Sequence, residues 1–216
     1  MTAPLTQTRF RSAVAELADR DSDLAAVVEA FGAPVLRRRP QGFRTLLYLI
    51  LEQQVSLASA RSTFEKLVAR LGADPEPRAF LALGDDDLRA VGFSRQKTRY
   101  GRALAEAVAD GRLKLDRLGR YDDETVKQEL TQLPGIGHWT ADIYLMEALG
   151  RPDIWPVGDL ALAVGAEKVK RLDRRPDQAA LADLGEAWRP WRAVAARIVW
   201  HYYLNTVRTR GGGIPV

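Results

Sequence analysis

Residues 133 to 140 read Leu-Pro-Gly-Ile-Gly-His-Trp-Thr, and about twenty residues further on Trp-Pro-Val-Gly-Asp-Leu brings in a carboxylate at Asp159. Gly135 and Gly137 carry no side chain, so the backbone there can come close to a phosphate and can take positive φ without steric cost. The helix that starts at about His138 aims its unpaired N–H groups at whatever the turn holds. An anion is the natural occupant, and His138 is a further candidate contact. Asp159 has two readings. A positioned carboxylate can stabilise positive charge that develops in a reaction, or take a proton from water. An Asp between a Gly and an apolar helical run is also an ordinary N-cap, and one residue can serve both purposes.

Helices must position these groups. Apolar residues recur at spacings of three and four, as in Phe43, Leu46, Leu47, Ile50 and Leu51, and sustained alternation is missing, so the chain reads as all-α. Breaks are expected at Gly32 to Pro34, Arg39 to Gly42, Gly72 to Pro77, Gly84, Gly92 to Ser94, Gly111, Gly119, Pro134 to Gly137 and Gly150 to Gly158. That spacing predicts roughly ten or more short helices. One stretch, Glu124 to Thr131, precedes the glycine turn, and another, Thr140 to Leu149, follows it. Gly150 to Gly158 is a loop stiffened by Pro152 and Pro156, which places the next helix, from about Asp159, accurately. The tail Arg210-Gly-Gly-Gly-Ile-Pro-Val offers little to fold and is expected to fray.

Composition narrows the classes. A chain of 216 residues can bury a substantial core, as one domain or as two lobes sharing a cleft. Without cysteine, disulfides, Cys-ligated zinc and Cys-held iron–sulfur clusters are excluded, and two histidines, His138 and His201, are too few for a His-based metal site. The N-terminal stretch lacks a signal peptide's apolar core and no run is long enough to span a bilayer, so a soluble, cytoplasmic protein is expected. The formal net charge of +4 is unevenly placed: from Leu160 to Val216 there are 10 Lys and Arg against 5 Asp and Glu. One cluster is Lys168, Lys170, Arg171, Arg174 and Arg175; a second is Arg189, Arg192 and Arg197. Such clusters are commonly solvated faces, but near an anion-binding turn they become candidate phosphate contacts. Arg95, Lys97, Arg99 and Arg102 recur along one helix and could line a groove or face solvent.

The glycine turn has the form of a helix-hairpin-helix. With Trp139 at its exit, Asp159 after a helix and a loop, Glu52-Gln53-Gln54-Val55-Ser56 upstream and Trp188-Arg-Pro-Trp-Arg leading towards Trp200, the ordered set resembles a known family. It is similar to the helix-hairpin-helix (HhH-GPD) DNA glycosylases with a Gly/Pro-rich loop and catalytic Asp, and among them to the alkylation-repair type, 3-methyladenine DNA glycosylase II. The resemblance covers the chain from about Leu17 to about Tyr203. It implies an all-α domain over residues 1–216, with two helical lobes and a DNA-binding, active-site cleft between them. The hairpin would occupy about 124–149, and the Gly/Pro loop with its Asp 150–159.

Residue roles follow from that resemblance. Asp159 matches the catalytic aspartate, and Gly135 and Gly137 match the hairpin glycines whose amides hold a phosphate. The backbone carbonyls of Thr131, Leu133 and Ile136 match those offered to a monovalent cation, Na+ or K+, and no other cofactor is implied. Trp139 and Trp200 match aromatics lining the base pocket, while Ile143 and Leu160 stand where some relatives carry tyrosine. Gln53 and Gln54 match the helix end that enters the duplex as a wedge. Trp139 occupies the place of the nucleophilic lysine of the bifunctional branch, so a lyase step is not expected.

The chemistry suits these residue types. Breaking an N-glycosidic bond builds positive charge on deoxyribose, which a single aspartate can stabilise while directing water. A purine alkylated at N3 or N7 already carries positive charge and leaves without a second acid, and an indole face attracts that charge. The target base must be extruded from the stack, with Gln54 filling the gap. The expected activity is a monofunctional glycosylase acting as a monomer on double-stranded DNA containing alkylated bases such as 3-methyladenine and 7-methylguanine. Two alternatives stand beside it: a glycosylase for deaminated or mismatched pyrimidines, and a non-catalytic module that binds damaged DNA. Asp142 is a competing acid, and Trp155, Trp188 and Trp191 read as core.

Overall fold

The computed structural model describes residues 3–210, with side chains through residue 206, and every regular element among the described residues is helical. The Gly-Gly-Gly-Ile-Pro-Val tail, expected to fray, lies outside the described residues. In chain order the helices are α1 (Gln7–Arg20), α2 (Ser22–Phe31), α3 (Phe43–Glu52), α4 (Leu57–Leu71), α5 (Pro77–Leu81) and α6 (Asp85–Ala90). There follow α7 (Arg95–Ala109), a 3-10 turn (Leu115–Arg120), α8 (Asp123–Thr131), α9 (His138–Glu147), α10 (Leu160–Val169), α11 (Gln178–Glu186) and α12 (Arg192–Arg210). Gly119, expected to break a helix, lies inside the 3-10 turn, whose tighter winding tolerates it.

Local chemistry explains most of the helix starts. The side chains of Thr6, Asp21, Ser56, Ser94, Asp122, Asp159 and Asp177 each accept an N–H from the first turn of the helix they precede. Each such cap stabilises its helix by about 1 kcal/mol. At the other end, α4 stops at Gly72, whose φ of 71° is the left-handed conformation that ends helices.

The chain forms two compact units. The first is Arg39–Tyr144. Its centre is α3, where Phe43, Leu46, Leu47, Leu49, Ile50 and Leu51 are all buried and Arg44 and Tyr48 take the more exposed side. α3 packs on α4 and α7, and Phe80 of α5 sits between Phe43 and Phe93, with centroids 6.0 and 5.6 Å away. The Tyr144 hydroxyl accepts the Gly42 N–H at 3.0 Å and so fixes α9 to the start of α3.

The second unit combines residues 3–38 with 145–210. α12 buries Ala193, Val194, Ala195, Ala196, Ile198 and Val199 against α1, α2 and α10. Gly165 lets α10 and α12 approach closely, because a Cβ there would lie 2.7 Å from Val199 Cγ1 and 3.0 Å from the Val199 carbonyl oxygen. Asp21, between α1 and α2, accepts the Trp188 indole N–H at 2.9 Å and the Lys170 ammonium at 3.1 Å, which ties the N-terminal helices to the C-terminal ones.

Candidate functional site

The hairpin belongs to the first unit. Leu133-Pro134-Gly135-Ile136 closes as a β-turn, with the Ile136 N–H donating to the Leu133 carbonyl at 3.1 Å and Gly135 at φ 86°. Pro followed by Gly with positive φ is the type II pattern. A side chain at Gly135 is excluded twice over, because a Cβ would also fall 2.1 Å from Cγ of Tyr100, whose ring packs on the turn. Gly137 differs. A Cβ there would meet nothing within 4 Å, so its glycine leaves open room over the backbone at the start of α9. That is the space a phosphate oxygen needs to reach the N–H groups. His138 is exposed, Trp139 half-buried, and Ile136 and Ile143 buried.

Gln53 and Gln54 are separated by the structure. Gln54, at φ 56°, is exposed together with Val55 and Leu57. Gln53, expected beside it at the duplex, instead turns inward, where its amide donates to the Gly135 carbonyl at 2.7 Å and to Thr140 Oγ1 at 3.0 Å. Gln53 thereby supplies the Gly135 carbonyl with a donor.

Other candidates in this unit are committed to internal partners. Asp142 is buried, with Lys127 Nζ 3.0 Å from its carboxylate. Burial pushes this carboxyl up and the Lys127 charge opposes that shift. Lys97 turns onto the Leu51 carbonyl at 2.6 Å, and Arg102 onto the Leu83 carbonyl at 2.9 Å and Asp85 at 2.7 Å. Of the four basic residues recurring along α7, read as a solvated face or a groove wall, Arg95 and Arg99 are exposed and Lys97 and Arg102 are half-buried.

The oxygen donors expected for a cation lie on the hairpin backbone. Among the described residues no cluster of His, Asp or Glu could hold a metal ion. The Leu133 carbonyl already accepts one N–H, and those of Thr131 and Ile136 accept none in the turn's backbone bonds. The Thr131 hydroxyl is turned back onto the Lys127 carbonyl at 2.7 Å, leaving its own carbonyl as the donor it offers. Such a set of carbonyl oxygens suits a hard cation.

Asp159 belongs to the second unit. It caps α10 by accepting the Leu162 N–H on Oδ1 at 2.7 Å, and the same oxygen accepts the Trp200 indole N–H at 3.0 Å. The cap reading therefore holds, and the carboxylate is fixed from two directions. Trp200, expected as a pocket wall, commits its indole N–H to the acid, and Leu160 is 43% exposed at the first position of α10. The loop before Asp159 is anchored along its length. The Ala193 N–H reaches the Pro152 carbonyl at 3.0 Å, the Trp155 indole donates to the Leu181 carbonyl at 2.7 Å, and Arg192 grips Asp153 at 2.9 Å.

That grip corrects the expectation for the second basic cluster. Arg189 and Arg192 pair with Asp153 and Glu186, and Arg197 is buried, donating to the Met146 carbonyl at 3.2 Å. Arg192 and Arg197 are turned into the protein and away from any phosphate, whereas Arg189 pairs at an exposed position. In the first cluster Lys170 lies on Asp21 and Asp23, while Arg174 and Arg175 are exposed. Trp155 and Trp188 are buried edge to face with centroids 5.1 Å apart, as expected of core residues. Trp191 is only half-buried and donates to Glu16 at 2.8 Å.

Comparison with known proteins adds ancestry to this geometry. A family model described as "HhH-GPD superfamily base excision DNA repair protein" matches residues 47–190. The chain is 34% identical over 206 residues to a Mycobacterium tuberculosis protein named probable bifunctional transcriptional activator/DNA repair enzyme AlkA, covering 85% of this chain and 40% of that protein. It is 27% identical to the putative DNA-3-methyladenine glycosylase YfjP of Bacillus subtilis, covering 83% of this chain and 65% of that one. The chain thus spans between two fifths and two thirds of these relatives' lengths. Among solved structures, Schizosaccharomyces pombe 3-methyladenine DNA glycosylase Mag1 in complex with abasic DNA superposes with a TM-score of 0.83 at 26% identity, over 88% of this chain and 95% of that one. DNA-3-methyladenine glycosidase from Bacillus halodurans gives 0.78 at 30% identity, over 97% and 95%.

Proposed function

The chain belongs to the HhH-GPD superfamily of base excision DNA repair proteins, and from that premise we propose that it is a monofunctional DNA glycosylase, acting as a monomer, that hydrolyses alkylated bases from double-stranded DNA. The observation that carries the reading is Asp159, held by the Leu162 amide and the Trp200 indole at the end of an anchored loop. An acid fixed from two sides before substrate arrives needs little reorganisation in the transition state. In the reaction the bond from C1′ to the purine nitrogen breaks with its electron pair passing to the base, which cancels the charge that methylation put there. Water oxygen bonds to C1′, and Asp159 accepts the water proton. Trp139, standing where the lyase branch has lysine, offers no amine for a Schiff base.

In this reading the amides around Gly137 and His138 hold a backbone phosphate, the exposed Gln54 fills the gap left by the extruded nucleotide, and Trp139 and Ile143 contribute to the base pocket. A monovalent cation on the Thr131, Leu133 and Ile136 carbonyls would stiffen the hairpin. Its electrostatic contribution there would help hold the phosphate. No helix among the described residues is long and apolar enough to cross a membrane. The test is release of free methylated purine from alkylated duplex DNA. Wild-type protein is expected to release it, and to act on a uracil duplex far more slowly, because uracil is a neutral and poorer leaving group. Tight binding to alkylated DNA with no base released would favour the non-catalytic module.

A further inference from the structure

The short segment after α3 makes two abrupt changes of direction. Gln53 leaves the helix in an extended conformation, with φ −64° and ψ 127°, and Gln54 follows at φ 56°. The segment is held from behind by Lys97 on the Leu51 carbonyl and by the buried Glu52, which pairs with Arg39 at 2.9 Å. It is held from ahead by Ser56, which caps α4. Between these anchors the Gln53 side chain points inward and spends both N–H bonds of one amide on the hairpin. One goes to the Gly135 carbonyl, before the phosphate-binding stretch, and the other to Thr140 Oγ1, after it. A single amide therefore brackets residues 136–139 and joins them to the residue that precedes the exposed Gln54.

We propose that Gln53 is a positioning residue that locks the exposed Gln54 turn to the phosphate-binding hairpin, so that wedge and grip engage DNA as one element. The proposal rests on the glycosylase reading only for the step that this coupling serves. An amide is the group the geometry requires. It can donate twice from one nitrogen, whereas a carboxylate of the same shape has nothing to donate and would set its oxygen against the Gly135 carbonyl. Coupling matters because extruding a base and pinning the neighbouring phosphate must happen together. A wedge that rocks independently of the grip loses the strand it has opened.

The test has two arms. In the free protein, hydrogen exchange at the amides of Ile136 and Ala141, which donate to the Leu133 and Gly137 carbonyls, and at the amide of residue 53, which donates to the Ile50 carbonyl, should rise about tenfold in Gln53→Met and Gln53→Glu, with the interiors of α4 and α7 unchanged. Thr140→Val, which removes one acceptor and keeps Gln53, should raise exchange about threefold at the start of α9 and is available if the Gln53 variants fold poorly. In the second arm, affinity is measured for a duplex carrying a tetrahydrofuran abasic-site analogue. Gln54→Ala should weaken binding about tenfold in the wild-type background and less than about twofold in Gln53→Met, because an uncoupled wedge has little left to lose. Losses that multiply, or hairpin exchange that stays at the wild-type level while affinity falls, would show Gln53 contacting DNA by itself and overturn the proposal. The exchange arm involves no DNA chemistry. A chain that shows the expected exchange but releases no methylated base leaves the coupling standing and removes only the activity.

Discussion

In the proposed function the hairpin offers a phosphate its backbone amides, set by a turn whose Gly135 lies at φ 86° under the ring of Tyr100. At the loop ending in Asp159 the proposed acid is a side chain, and its direction is set by hydrogen bonds from Leu162 and Trp200 and by the Arg192–Asp153 grip upstream. The two regions fail differently. Backbone geometry is an all-or-none property of one residue, so the hairpin is vulnerable at a glycine and tolerant at its exposed side chains. A carboxylate oriented by several donors loses position by degrees, except when the carboxylate is itself removed. Chemistry that must hold a phosphate of any sequence suits the first arrangement, and chemistry that must aim one oxygen at one carbon suits the second.

The largest effect is expected from Asp159→Asn. Asn caps a helix as well as Asp does, so α10 and the unfolding midpoint should be preserved. Base release in single-turnover assays should fall about 10²- to 10⁴-fold. Wild-type rates in this variant would remove Asp159 from the chemistry and leave it a cap. Gly135→Ala comes next and acts through the fold instead. Positive φ and the collision with Tyr100 should cost about 2 kcal/mol or more by urea unfolding, with affinity for abasic-analogue DNA falling alongside. If Gly137→Ala, made in parallel, is nearly silent in stability but weakens DNA binding, the two glycines divide as the turn geometry says: one for the backbone, one for access.

Much of this was legible in the sequence because it is local. Asp159 begins α10 where a capping side chain precedes an apolar run, and Pro134-Gly135 makes the turn that its dipeptide predicts. The all-helical class followed from spacings of three and four, which helices impose over any ten residues or so. What escaped the sequence depends on partners far apart along it. Nothing near Gln53 indicates that its amide meets a carbonyl 82 positions later. Arg189, Arg192 and Arg197 look like a basic helix face until Asp153, Glu186 and Glu147 are brought against them. Tyr100 carries no signal at all for its place over Gly135, since any aromatic at a helical position reads as core. Charge clusters are the least legible feature, because a run shows the charges and hides their partners.

Trp200 tests the side-chain arrangement at finer resolution. Trp200→Phe keeps an aromatic ring and removes the N–H that reaches Asp159. Excision should slow by about tenfold, the loss of one oriented hydrogen bond, with affinity for alkylated DNA nearly unchanged. If affinity falls and the rate on bound DNA holds, the ring is a pocket wall and its N–H is incidental. Either result sharpens the contrast with the hairpin, where no side-chain donor is asked to aim a reacting group.

The smallest effect separates the two units by pH. Burial pushes the Asp21 carboxyl up, but the Trp188 indole, the Lys170 ammonium and the Leu24 amide more than offset it, and its pKa ends below the ordinary value. Asp21 therefore contributes stability that is complete above the unfolded-chain value of about 4 and is lost as pH falls through the lowered folded one. Asp142 is displaced in the opposite direction, by burial that Lys127 only partly offsets. Its cost to the fold is complete above its raised value and fades as pH falls towards the unfolded one. On acidification from neutral, hydrogen-exchange protection in α2 and α10, taken relative to the intrinsic rate at each pH, should fall, and Asp21→Asn should flatten that response. Asp142→Asn, with Lys127 still 3.7 Å from Glu124, should flatten a weaker trend of opposite sign in α9. Parallel acid responses in the two units would mean that these carboxylates do not govern them, and that the charge networks matter less to each unit than its apolar core.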